Sequence, residues 1–430
     1  MRKCFFIILL LAFVGCGPGT KPSQPLPAAP PSLYPIDFPL EMKWEWRGQG
    51  LINKTPVADS THIYVTTVAG YCYAINPVDG KLAWMFKAMK SIPTPPLLAK
   101  DRLIFFSSDD EYYELKPATG EIIYKDLSFG KPTSPGTLDG DFLYFVVTET
   151  QLRCSSTTTH KLVWKYDAGG KIAGEPAVKQ DHIYFGALDG TVYCLRSTDG
   201  SLVWKCPVGG EVYGRPAVSK ELVVVGTTSN QVVAIHRAKG TVAWCMRTDA
   251  DVIAPTTVFM NKKRHERIFA AGFDNYVYCF NTNGNMIYRT AIPARMYDEL
   301  LVDEHMMIIA PFSIHVTALN PVDGSSLSQL DLTSESRATP LLAGGRLYMV
   351  MYDAETSEGI LQAFATKPPP PPQTQPAAQT QPKPQTQPAT QSQPAAQKPA
   401  ASVASPPPVA PSMKPPTAAG STPQSQPNKH

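Results

Sequence analysis

One phrase returns along this chain at a nearly constant spacing. Residues 188–205 read LDGTVYCLRSTDGSLVWK, and the aromatic near its end has counterparts at Trp44, Trp84, Tyr124, Trp164, Trp204, Trp244 and Tyr288, with Ser328 in the last unit. The steps are 40 residues, except for one of 44 between Trp244 and Tyr288. A second column precedes the aromatic and holds a turn glycine: Gly80, Gly120, Gly200, Gly240, Gly284 and Gly324, with His160 in its place once. A third column holds a proline: Pro56, Pro96, Pro135, Pro176, Pro216, Pro255 and Pro340, with Leu300 standing in the remaining gap. Three columns keeping one period over roughly 300 residues require a repeat architecture.

One unit reads as four short strands. Pro176-Ala177-Val178 opens the first, where proline is tolerated because it sits at a strand start. His182 to Ala187 is rich in β-branched and aromatic residues and forms the second. Asp189-Gly190 supplies a tight turn into the third, Thr191 to Arg196. Asp199-Gly200 turns again into the fourth, which begins at Leu202 and carries Trp204. A four-stranded antiparallel sheet cannot cover both of its faces, so neighbouring units must do so, which describes a propeller blade. Seven units are complete. An eighth starts at Pro340 and ends near Ala365 without its fourth strand, while the segment around Trp44 is a fourth strand with nothing ahead of it. The sequence therefore predicts an all-β, eight-bladed propeller over residues 41–366, closed by the N-terminal strand at 41–48. Closure removes the open sheet edges of a linear array.

The flanks differ in composition. Arg2 and Lys3 precede an apolar run, Phe5 to Val14, too short to span a bilayer as a helix. The run ends at Gly15-Cys16, which resembles a bacterial lipobox and marks Cys16 as the candidate lipidation site after a signal peptide of residues 1–15. A tether follows over 16–40, Pro-rich from residue 17 to 35. Residues 367–430 are almost entirely Pro, Gln, Ala, Thr and Ser, and such a segment has too few apolar groups to fold. This tail has five lysines and no acidic residue; without them the net charge of +3 becomes −2. A nearly neutral body lacks the basic face that nucleic-acid binding needs. The lysines are spaced 15 or 16 residues apart, a regularity that suits contact with an anionic polymer such as peptidoglycan.

The phrases DGTVYCLRSTDGSLVWK and GYCYAINPVDGKLAWMFK resemble the repeat of quinoprotein-type, or PQQ-like, β-propellers. An eight-bladed propeller on a lipid anchor is similar to the BamB family, scaffold lipoproteins of the outer-membrane β-barrel assembly machine. The resemblance implies a non-catalytic scaffold at the outer membrane, facing the periplasm or the cell surface, with envelope proteins as partners and no cofactor. A module binding carbohydrate or peptidoglycan is the alternative. Quinone-dependent dehydrogenases share the fold, but the longer chains of that class carry a vicinal Cys pair, which this sequence lacks.

The remaining candidates come from the repeat itself. Cys154, Cys194 and Cys279 share a column with Ala74, Ala234 and Ala318, which reads as a small buried site rather than a metal or redox centre. The residue before each proline is expected to ring the axial channel: Thr55, Pro95, Ser134, Glu175, Arg215, Ala254 and Thr339. Glu175 and Arg215 carry the charges in that ring, and form either a structural ion pair or a docking mark. The four extra residues of the long step fall in NKKRHER, residues 261–267. Its Lys262, Lys263 and Arg264 form either a solvated hairpin tip or a contact for an acidic partner or lipid headgroup.

Overall fold

The fourth blade shows how the repeat folds: β14 (Ala177–Lys179), β15 (His182–Gly186), β16 (Thr191–Arg196) and β17 (Leu202–Pro207) form one antiparallel sheet in chain order. The computed structural model describes residues 36–368 apart from Asn53, Ser128, Lys131 and Lys262. The leader with Cys16, most of the tether and the tail beyond Pro368 therefore lie outside the described residues. Across these residues run 32 strands, from β1 (Leu40–Gln49) to β32 (Glu358–Thr366), in eight four-stranded sheets. Among the described residues no helix is present.

The eighth blade is closed as expected. Its strand order is β1, β32, β31 (Arg346–Asp353), β30 (Leu341–Ala343). The first strand lies antiparallel to the last, from Leu40 opposite Thr366 to Gln49 opposite Glu358.

There is no central core. The apolar residues form eight clusters, each shared by two adjacent blades. Side chains alternate along a strand, so Tyr184 and Cys194 face blade five, while Ile183, Phe185, Tyr193 and Leu195 face blade three. Middle strands are buried on both faces and therefore read as continuous apolar runs. The repeated aromatic locks the seam wherever it is present. Trp204 is 8% exposed, and its indole N–H donates to the Arg237 carbonyl at 2.8 Å. Trp44, Trp84 and Trp164 donate to Pro77, Pro117 and Ser197, each also 33 residues ahead. The turn glycine of the next blade lies flat on that ring. A Cβ on Gly200 would sit 2.6 Å from Trp164, and its φ of +70° also favours glycine. Each outer strand carries a bulge one residue before the aromatic position, at Val203 in blade four, which bends the exposed edge away from further pairing.

Two seams depart from this pattern: the one between blades seven and eight has Ser328 in the ring position and no glycine turn, and the one between blades two and three uses a different set of groups. Between blades two and three the aromatic is Tyr124, the small residue opposite it is Glu114, and the glycine is His160. Tyr124 leaves room for the imidazole, which stacks on it with centroids 3.6 Å apart. Arg102 takes over the indole's task by donating to the Thr157 carbonyl at 2.7 Å, and also to Glu114 at 2.9 Å. His160 Nε2 lies 3.2 Å from the same carboxylate, and the Tyr112 hydroxyl donates to it. Glu114 is fully buried, but its charge is met from three sides. Glu114→Ala alone is expected to destabilise by about 3 kcal/mol, because part-buried Arg102 loses its buried carboxylate partner and keeps only that of the exposed Asp101, 3.1 Å away. The triple change Glu114→Ala, Tyr124→Trp, His160→Gly restores the repeat and is expected to recover most of that loss. Denaturant unfolding of both variants checks this; equal losses would show that the three residues do not act as one set.

Candidate functional site

The propeller has two unlike faces. Loops from the outer strand of one blade to the inner strand of the next lie on one, here the crossover face; the glycine turns lie on the other, the turn face. The inner strands start at the crossover face and ring an axial channel. Its mouth, a cavity of about 370 Å³, is lined by Thr55, Pro95, Pro135, Glu175, Arg215, Pro255, Glu299 and Thr339.

These eight residues correct the expected ring. Pro135 and Pro255 sit one position early in their units, so the residues that precede them, Ser134 and Ala254, fall behind the lining and are buried. The 40-residue period, not the proline, marks the ring. Glu299 was missing because Leu300 replaces the proline that would have flagged it.

Glu175 and Arg215 do meet, with 4.0 Å between nitrogen and oxygen. Arg215 is held more closely by Glu299, where one guanidinium nitrogen reaches both carboxylate oxygens at 3.0 Å. Glu175 also accepts from the Thr137 hydroxyl at 3.0 Å. Each of the three keeps about a third of its side chain open to the channel, at 32–35%. The pair is thus a three-residue cluster across blades four, five and seven, and Arg215 is not a free docking charge.

The surrounding protein raises the Glu175 pKa above the ordinary carboxylate value: loss of hydration dominates, partly offset by Arg215 and the Thr137 hydrogen bond. Asp298 is raised by the same loss of hydration, with Lys54 opposing it. A carboxyl that keeps its proton to higher pH in the folded state favours folding below its unfolded pKa. That contribution is lost as pH rises through the folded value. Glu175→Gln is therefore expected to raise stability slightly at neutral pH, by under about 1 kcal/mol given channel water, and to leave it unchanged in acid. Thermal melts at both pH values test the sign; a Gln variant weaker at neutral pH would make the Arg215 attraction dominant.

Aromatic residues crown the same face. Tyr213 and Tyr297 stand above the mouth, 38% and 44% exposed. Tyr297 stacks on Phe312 at 5.2 Å and meets Phe273 edge-on at 5.0 Å. Arg295 lies over Phe273 and Arg337 over Phe312. None of these residues was singled out from the sequence, because they lie in loops where the repeat sets no type.

Among the described residues all six cysteines are free, and all but Cys245 are buried, Cys154, Cys194 and Cys279 in the small-residue column. Burial pushes the thiols of Cys154, Cys194 and Cys279 up to about 12, so they stay protonated and inert. Lys263 and Arg264 are exposed on the turn face, far around the molecule from the channel mouth.

The fold and this channel define an eight-bladed propeller of the PQQ-like repeat class. The sequence profile described as outer membrane protein assembly factor BamB matches residues 41–134, 125–193 and 148–262, overlapping segments that together span just over half of the chain. The chain belongs to the BamB family. The crystal structure of BamB from Moraxella catarrhalis is similar to it, with a TM-score of 0.62 and 14% identity, covering 76% of this chain and 98% of that one. The computationally designed Ika8 protein matches with the same TM-score of 0.62 at 12% identity, over 74% of this chain and 97% of its own. A designed protein matching this well shows that the structural likeness carries the fold alone. No curated protein matches the sequence.

Proposed function

We propose that this chain is a lipid-anchored scaffold of the bacterial outer membrane, which faces the periplasm and holds other envelope proteins during β-barrel assembly. The family match over residues 41–262 carries this reading. The crossover face supports it. Tyr and Arg are, with Trp, enriched where binding energy concentrates, and Tyr213, Tyr297 and the flanking Arg295 and Arg337 present both around the channel. In this reading Cys16 carries the anchor, the Glu175–Arg215–Glu299 cluster stiffens the mouth beneath the docking partner, and no chemistry is performed.

Brief crosslinking of envelope membranes followed by isolation of the protein is the test. Co-isolation of β-barrel assembly proteins is expected. Recovery of glycan alone would favour the carbohydrate-binding alternative, and a bound quinone with substrate turnover would make the protein an enzyme.

A further inference from the structure

The 44-residue step has a structural consequence on the turn face. The extra residues lengthen the hairpin between β22 (Thr257–Met260) and β23 (Glu266–Ala271). The raised hairpin stands against blade five and walls a groove of about 970 Å³. Lys220, Arg264 and Arg267 line it, with Lys263 exposed beside it, and among the described residues none of the four has an ion-pair partner. Glu221 and Glu266 also line the groove, so the cations outnumber the carboxylates. The repeat does not need this feature, because the other six steps lack it.

The groove is not purely ionic. Trp244 lines it half-buried, as Trp84 is at the same repeat position. Met260 stands at its side, 48% exposed. An amphipathic indole and a flexible thioether beside unpaired cations suit a membrane interface better than an acidic peptide, which would be met by charge alone. Strand direction supplies the placement. Because β1 ends at the crossover face, it starts at the turn face, and β32 ends there too. The segment leading back to Cys16 thus emerges on the side that carries the groove.

We infer that this groove binds phosphate headgroups of the membrane leaflet that holds the anchor, turning the crossover face toward the periplasm. The inference rests on the lipid-anchored reading. Only some 20 residues separate Cys16 from Ile36, which is buried between blades seven and eight, so the groove is kept at a high effective concentration near the surface and contacts weak in isolation suffice. Arg264 and Arg267 supply guanidinium donors to phosphate oxygens, and Lys220 and Lys263 add point charge.

The test uses the chain from residue 16 onward with Cys16→Ser, which carries no acyl group, so a failed anchor reading cannot mask the result. Vesicles of phosphatidylcholine, alone or mixed with phosphatidylglycerol, are floated with the protein. Binding is expected with the anionic mixture and not with phosphatidylcholine alone, fading as salt is added. Replacing Lys263, Arg264 and Arg267 by Glu together is expected to weaken it about tenfold or more. The milder Lys263→Gln, at an exposed position, should weaken it less while leaving the melting curve unchanged. Equal binding by the parent and the charge-reversed chain would assign the interaction to the tail lysines and overturn the proposal. So would absence of binding to the anionic vesicles.

Discussion

A chain lacking residues 40–49 is expected to aggregate and to lose its cooperative thermal transition. This strand is the outer strand of blade eight and lies along the whole of β32. It also brings two tryptophans into the seam between blades eight and one. Trp44 packs on Tyr348 with centroids 5.8 Å apart, and Trp46 meets Tyr73 edge-on at 4.7 Å. Both are 9% exposed and share one cluster with Ile63, Val350 and Leu361. Losing one buried Trp costs about 3–5 kcal/mol, and two together approach the whole stability of a typical domain, roughly 5–15 kcal/mol. The edge of β32 would then lie open to pairing with another chain. Size-exclusion chromatography and a thermal melt decide the matter. An elution volume and melting curve like those of the parent would mean that the ring closes without its N-terminal strand.

The second large effect concerns the aromatic and the glycine that faces it across a seam. Trp204→Ala is expected to cost about 3–5 kcal/mol, since it empties the space between Tyr184 and Val223 and leaves the Arg237 carbonyl without its donor. Gly240→Ala in the parent meets two obstacles: a φ of +67° and a ring carbon 2.5 Å from the new Cβ. Backbone strain accounts for about 1–2 kcal/mol of its cost. The clash with Trp204 adds to that, and the clash disappears once residue 204 is alanine. Gly240→Ala should therefore be cheaper in the Trp204→Ala background, by about 1 kcal/mol or more. A double-mutant cycle in denaturant measures the difference. Additive costs would show that ring and glycine do not act as a pair. The seam between blades two and three already contains such an exchange, where His160 at φ +57° is accepted because Tyr124 is smaller.

The blades were legible because one physical requirement recurs in each. Most seams use a large ring, a small residue opposite it and a flat turn on top, so Trp204, Cys194 and Gly240 have counterparts at a fixed spacing. The closing strand was legible for a related reason: Trp44 belongs to a fourth strand and had no first three. What was hidden breaks the repeat or falls outside it. Glu299 was missed because ring positions had been keyed to proline, and proline serves the strand start rather than the channel. His160 read as an isolated defect and Glu114 went unnoticed, because the two are 46 residues apart in sequence although they touch in space. Arg102 carries no repeat signal, since its role is to replace an indole N–H that is missing elsewhere. The rim of Tyr213, Tyr297 and Phe312 lies in crossover and hairpin loops, where fold constrains length more than residue type. The groove beside Trp244 was visible in the sequence as four extra residues and a run of cations, but not as a wall against the neighbouring blade.

A scaffold that works through its crossover face is tested most directly by site-specific photocrosslinking in living cells. A photoreactive residue at Tyr297 is expected to capture a subunit of the β-barrel assembly machinery, and the same residue at Lys239, on a turn of the opposite face, is expected not to. Capture of that machinery from Lys239 but not from Tyr297 would contradict the crossover face as the docking surface, and capture from neither would contradict the scaffold itself.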